Sequence, residues 1–113
     1  MIDLTSLAEE HLAIARDDPH GRSALLVAHD GELRQTLIAL TAGARLGEHN
    51  SPSAATLHVL AGQVRVEDAA GVQADVSEGQ LWILTHERHS VVAPEDAVFL
   101  LTTVTGVGRG TYA

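Results

Sequence analysis

Leu4, Leu7, Ala8, His11, Leu12 and Ala15 recur at intervals of three and four, which places them on one stripe of a helix. Ser6 followed by Glu9 has the spacing of a capping box, in which each residue satisfies an otherwise unpaired amide of the first turn. Asp17-Asp18-Pro19 and Gly21 then stop the pattern, because proline cannot continue a helix and glycine readily leaves it. The segment therefore predicts a helix of roughly ten residues. A lone amphipathic helix of that length is marginal in water, so its stripe needs cover from its own domain or from a partner chain.

After Gly21 the period shortens. Residues 23–29 and 33–40 are β-prone runs joined at Asp30-Gly31, a dipeptide suited to the positive φ of a tight hairpin. Further runs follow at 56–60, 63–67, 72–76, 81–84, 90–93 and 97–104. Their separators, such as Ser51-Pro52-Ser53, Ala61-Gly62 and Pro94-Glu95-Asp96, are rich in turn formers. Short strands without βαβ alternation predict a closed barrel or jelly roll. Residues 1–20 read as helix and linker, 21–105 as barrel, and 106–113, with glycines at 106, 108 and 110, as an aperiodic tail. Gly106-x-Gly108-x-Gly110 opens no helix, so it is not a phosphate loop.

Composition narrows the chemistry. With 45% apolar residues but one Phe, one Trp and one Tyr in 113 residues, the core must be mainly aliphatic. The absence of cysteine removes disulfides, thiolate zinc sites and cysteine nucleophiles. Seven basic against fifteen acidic residues give a net charge of −8, a field that repels phosphate backbones and anionic lipid. No nucleic acid and no membrane is expected as a partner. Met1-Ile2-Asp3 lacks the basic start of a signal peptide, and no apolar run approaches the ~20 residues of a membrane span. The expectation is a cytoplasmic protein. No serine lies in a Gly-x-Ser-x-Gly elbow.

Gly43, His49, Ser51, Ala55 and Gly62 fall in order on a glycine, His-x-His, glutamate and closing glycine signature. Gly79, Leu84, His86 and His89 follow a second signature that ends Pro-x-Gly-x-x-His. Leu84 and His86 stand in place of the proline and glycine, and Ala93 in place of a final asparagine. On these residues the chain resembles the cupin superfamily. The resemblance implies an all-β, cupin-type double-stranded β-helix (jelly-roll barrel) with a short N-terminal helix.

In the family, a divalent metal is held by two His and one Glu of the first signature and one His of the second. By that resemblance His49 and His89 are the candidate metal residues, and His49, Ser51 and His89 the candidate ligand-binding ones. A transition ion wants three or more N, O or S ligands. Ser51 is a poor donor and Ala55 none, so no cofactor is expected beyond a weakly held divalent transition metal. If Ala55 faces the interior, so do Leu57 and Val59, and His58 faces out. Glu48 is likewise expected outside, and His86 could swing toward the mouth. His11, His20 and His29 read as packing or surface residues, and Asp75 and Glu78 as solvated. Arg34 faces solvent or the barrel mouth, and Trp82, alternating with Leu84 against Leu81 and Ile83, reads as core packing.

Two functions follow. The first is a non-catalytic barrel that binds or senses a small molecule in its cavity, with the two imidazoles as polar anchors. The second, implied by the resemblance, is a metal-dependent isomerase, dioxygenase or lyase using His49 and His89. A homodimer is expected, because the helix and outward apolar residues such as Ile38 and Val91 need cover.

Overall fold

A computed structural model describes residues 1–49, 54–85 and 87–105, the side chains of Glu48 and His49 excepted. The aperiodic tail, Ser51 and His86 lie outside the described residues. The helix α1 spans Leu4–Asp17 and has 14 residues. Its N-cap is Asp3, not the Ser6–Glu9 box. Asp3 is extended, at φ −101° and ψ 101°, and its Oδ1 accepts from the Thr5 and Ser6 amides at 3.1 and 3.2 Å. A carboxylate there also meets the positive end of the helix dipole. The Ser6 amide bond, the largest of these influences, pulls the Asp3 carboxyl below its ordinary value. The helix ends where expected: the Asp18 carboxylate accepts from the His20 and Arg22 amides at 2.8 and 3.2 Å and turns the chain into the first strand.

Nine strands follow among the described residues: β1 Arg22–Asp30, β2 Leu33–Leu40, β3 Arg45–His49, β4 Ala54–Ala61, β5 Gln63–Asp68, β6 Gly71–Ser77, β7 Leu81–Ile83, β8 His89–Val92 and β9 Ala97–Val104. The β1–β2 turn is the pair Gly31-Glu32, since Asp30 pairs with Leu33. Only Gly31 has positive φ, +59°, which is the first-position requirement of a II′ turn. The strands form two sheets ordered β1-β2-β9-β4-β7 and β3-β8-β5-β6, antiparallel in every pairing.

Between the sheets lies an aliphatic core around Phe99, with Leu57, Val59 and Val64 fully buried. The outer face of the five-stranded sheet carries a second cluster, in which Ala8 and Ala15 of α1 pack on Leu37, Ala39, Val98 and Leu100. The helix stripe is thus covered by its own barrel. His11 is buried in that seam, its Nδ1 2.6 Å from Ser23 Oγ, so it packs as a satisfied histidine. Ile38 and Val91 do not face outward: they are 6% and 2% exposed and belong to the inter-sheet core. In β2 the helix buries the odd positions and the barrel the even ones, so no polar face marks which side is out.

Candidate functional site

The two signature histidines are paired along the backbone at the end of the four-stranded sheet. β3 runs antiparallel to β8 with Leu46 opposite Val91, and an irregularity after Leu46 brings His49 opposite His89. On the other side of β8, β5 places Val66 opposite Val91 and Asp68 opposite His89. Directly opposed residues of an antiparallel pair share a face. Val66 and Val91 lie in the core, and His89, two positions from Val91, shares their side of the sheet. His89 is 2% exposed.

The back of the same strands is tied by a polar cluster. Arg45 donates through Nη1 to Ser90 Oγ at 2.9 Å and through Nη2 to Glu67 Oε1 at 3.1 Å. One guanidinium therefore spans β3, β8 and β5 behind the histidine and holds their register. His89 Nδ1 lies 3.1 Å from the Glu87 carbonyl oxygen. A carbonyl only accepts, so Nδ1 carries the hydrogen, and in the neutral ring Nε2 is the nitrogen with a lone pair.

Asp68 was absent from the sequence-derived candidates. Its signal was parity: it follows Val64 and Val66 on the same face of β5, at the strand's end. Its Oδ1 accepts from the Ala70 amide at 2.8 Å and from Gln73 Nε2 at 2.9 Å, so the carboxylate braces the β5–β6 turn. Beside it, a groove of about 410 Å³ is lined by Asp68, Ala69, Ala70, Glu87 and Arg88.

The remaining candidates separate. Ala55, Leu57 and Val59 all face the core, and His58, between them, is half-buried on the other face. Ala55 is 7% exposed and offers a methyl where the resemblance would place a carboxylate ligand. His20, His29, Arg34, Asp75 and Glu78 are exposed, and Trp82 packs its ring against the core from β7. The imidazole side chain of His49 and all of Ser51 lie outside the described residues. Among the described side chains, no three His, Asp or Glu come together. Ala55 supplies a methyl, and the Asp68 Oδ1 is held by its turn.

The architecture is that of a small antiparallel barrel with its polar positions at one sheet end. Solved structures identify it as the cupin fold. A cupin-2 domain protein from Shewanella frigidimarina superposes over 92% of this chain and 94% of its own, with a TM-score of 0.68 at 11% identity. A cupin superfamily protein from Desulfitobacterium hafniense reaches 0.68 over 74% of this chain and 77% of its own, at 13% identity. A conserved protein of unknown function from Streptococcus pyogenes also reaches 0.68, at 24% identity over 78% of this chain and 77% of its own. No protein-family model and no curated protein matches the sequence. Among the described residues, no helix is long and apolar enough to cross a membrane.

Proposed function

We propose that this barrel is a non-catalytic module that binds or senses a small molecule at the sheet end where His49 and His89 are opposed. The observation that carries the reading is His89 itself. It is a buried imidazole whose Nδ1 is held by the Glu87 carbonyl, with a second histidine directly across the ladder. Two imidazoles can anchor a ligand by donating and accepting hydrogen bonds. Ser51 is the third proposed anchor. The loss of a donor at Ala55 counts against a resident metal. A cytoplasmic location goes with this reading.

The second reading, a metal-dependent isomerase, dioxygenase or lyase using His49 and His89, gains one observation: Asp68 brings a carboxylate opposite His89. Elemental analysis of untagged, dialysed protein separates the two. The binding-module reading expects well under one equivalent of transition metal. A stoichiometric metal lost from both His49→Ala and His89→Ala proteins overturns it.

A homodimer accompanies the proposal, on changed grounds. With Ile38, Val91 and the helix stripe covered within one chain, the most exposed apolar residues on a strand are Leu81 and Ile83, 61% and 73% exposed on edge strand β7. They sit opposite His58 and Thr56, and Thr56 sits opposite Thr102. None of these five residues is acidic or basic apart from the imidazole. Two chains of charge −8 approach each other best through such a face.

A further inference from the structure

β6 ends one sheet and β7 ends the other, and the two are not paired with each other. A groove of about 550 Å³ follows this seam, lined by Gln73, Ala74, Asp75 and Val76 on one side and Gln80, Leu81 and Trp82 on the other. Its size falls within the range of small-molecule sites. Its lining does not include His89, although Gln73 donates to Asp68, which sits opposite His89.

Trp82 gives this groove a chemical character. It sits opposite the fully buried Leu57, so its indole lies on the inner face of the sheet. β7 is the last strand of its sheet, so no further strand of this chain pairs beyond it. The indole Nε1 is buried and has no hydrogen-bond partner, the one such side-chain atom among the described residues. An indole N–H can only donate, and a buried donor left unmatched is unusual and destabilising. The other polar groups of the groove are already oriented. Gln80 Oε1 accepts from the Ser77 amide at 2.8 Å, which leaves its NH₂ as donor. Gln73 Nε2 donates to Asp68, which leaves its carbonyl as acceptor. Asp75 is held by Arg65 at 2.8 Å. Ala74, Val76 and Leu81 supply apolar wall.

We propose that the β6–β7 seam is a second ligand site, which takes a small uncharged molecule with a flat apolar body and a carbonyl or hydroxyl oxygen that accepts the Trp82 indole hydrogen. An anion is disfavoured by the acidic chain and by Asp75 at the rim. Gln80 and Gln73 present the donor and acceptor that a primary amide or an alcohol would match. The proposal rests on Trp82 and does not depend on a ligand at His89.

Benzamide and toluene are suitable probes, alike in ring and different in the acceptor. The chain has one tryptophan, so its indole N–H gives one cross-peak in a ¹⁵N–¹H spectrum. Benzamide is expected to move that peak and the Ala74 and Gln80 amides saturably, and toluene to leave the indole peak in place. Trp82→Phe, which keeps a ring and loses the donor, should weaken benzamide about fivefold, the worth of an ordinary hydrogen bond. Should the variant prove unfolded, the wild-type spectrum decides alone. Absence of saturable shifts at the groove, shifts confined to residues 87–92, or an unchanged affinity in folded Trp82→Phe would overturn the proposal.

Discussion

Arg16, in the last turn of the helix, meets Asp96, in the turn before β9, across eighty positions of sequence, with its Nε and Nη2 at 3.1 and 3.0 Å from one carboxylate oxygen. The other oxygen accepts from the Ala42 amide at 2.8 Å. One carboxylate therefore ties α1, the β2–β3 turn and the β8–β9 turn together. The Ala42 amide first, and Arg16 second, hold the Asp96 carboxyl below its ordinary value of 3.8.

A carboxyl that is more acidic when folded stabilises the native state at pH above its unfolded value and loses that contribution as pH falls through the folded value. Asp96→Asn should therefore melt at a lower temperature than wild type at pH 7. The gap should close as the buffer is taken below about pH 4, where the unfolded carboxyl is protonated. Arg16 and Asp96 are 57% and 36% exposed, so screening keeps the ion-pair part of the effect small and the Ala42 bond should dominate. A difference in melting temperature that stays constant from pH 7 to pH 3 would contradict this account.

Gly62 stands between β4 and β5 with φ +73°, and a Cβ built there collides with the Asp96 carbonyl oxygen. Both backbone conformation and space forbid a side chain. Gly31, at φ +59°, has nothing within 4 Å of the same imagined atom. Gly62→Ala should therefore lose roughly 2–4 kcal/mol, strain and overpacking together, against about 1 kcal/mol for Gly31→Ala. Denaturant titration of the two variants measures both, and equal losses would argue against the close approach at Gly62.

The glycine spacing that exposes this contact was visible in the sequence, as were eight of the nine strands, because turn formers punctuate them. β3 was not foreseen. Arg45-Leu46-Gly47-Glu48-His49 has no β-strand alternation of its own and is a strand because β8 pairs with it. Ser6 and Glu9 match a local capping motif, while Asp3, one turn earlier, caps the helix by geometry that the spacing does not reveal. Both faces of β2 are apolar, so the pattern alone does not tell which side Ile38 takes. The pairing of His49 with His89 follows from strand register, to which two separate sequence signatures are blind. Asp68 was missed for the same reason.

His11 and Ser23 offer a direct measure of how firmly the helix is joined to the barrel. Their 2.6 Å contact is the polar bond in an otherwise aliphatic seam, and breaking one side leaves the other unmatched in a half-dry place. A double-mutant cycle of His11→Ala and Ser23→Ala is expected to give a coupling of about 1 kcal/mol. Deleting residues 1–20 should do far more, because it uncovers Leu37, Ala39, Val98 and Leu100; melting temperature should fall and association should change. An unchanged melting temperature and mass in the deletion would mean that the helix is an appendage.

Leu81 and Ile83 decide whether two copies pair through the β7 face. They lie on the outer side of an edge strand, where an unpaired backbone and exposed apolar side chains invite a second chain. If they form the contact, Ile83→Asp should abolish it. Each copy would bring a new carboxylate to an interface related by two-fold symmetry, so the charges would meet near the axis or face uncompensated burial. Ile83→Asp should leave the fold intact, since the side chain is 73% exposed and such substitutions away from structural features usually shift stability by no more than about 0.5 kcal/mol. Sedimentation equilibrium at micromolar concentration should give twice the chain mass for wild type and one chain mass for the variant. A wild-type monomer ends the dimer proposal. A dimer that persists in Ile83→Asp moves the interface elsewhere, with the exposed edge of β1, where Leu25 and Leu26 stand 37% and 50% open, the next face to carry the same charge.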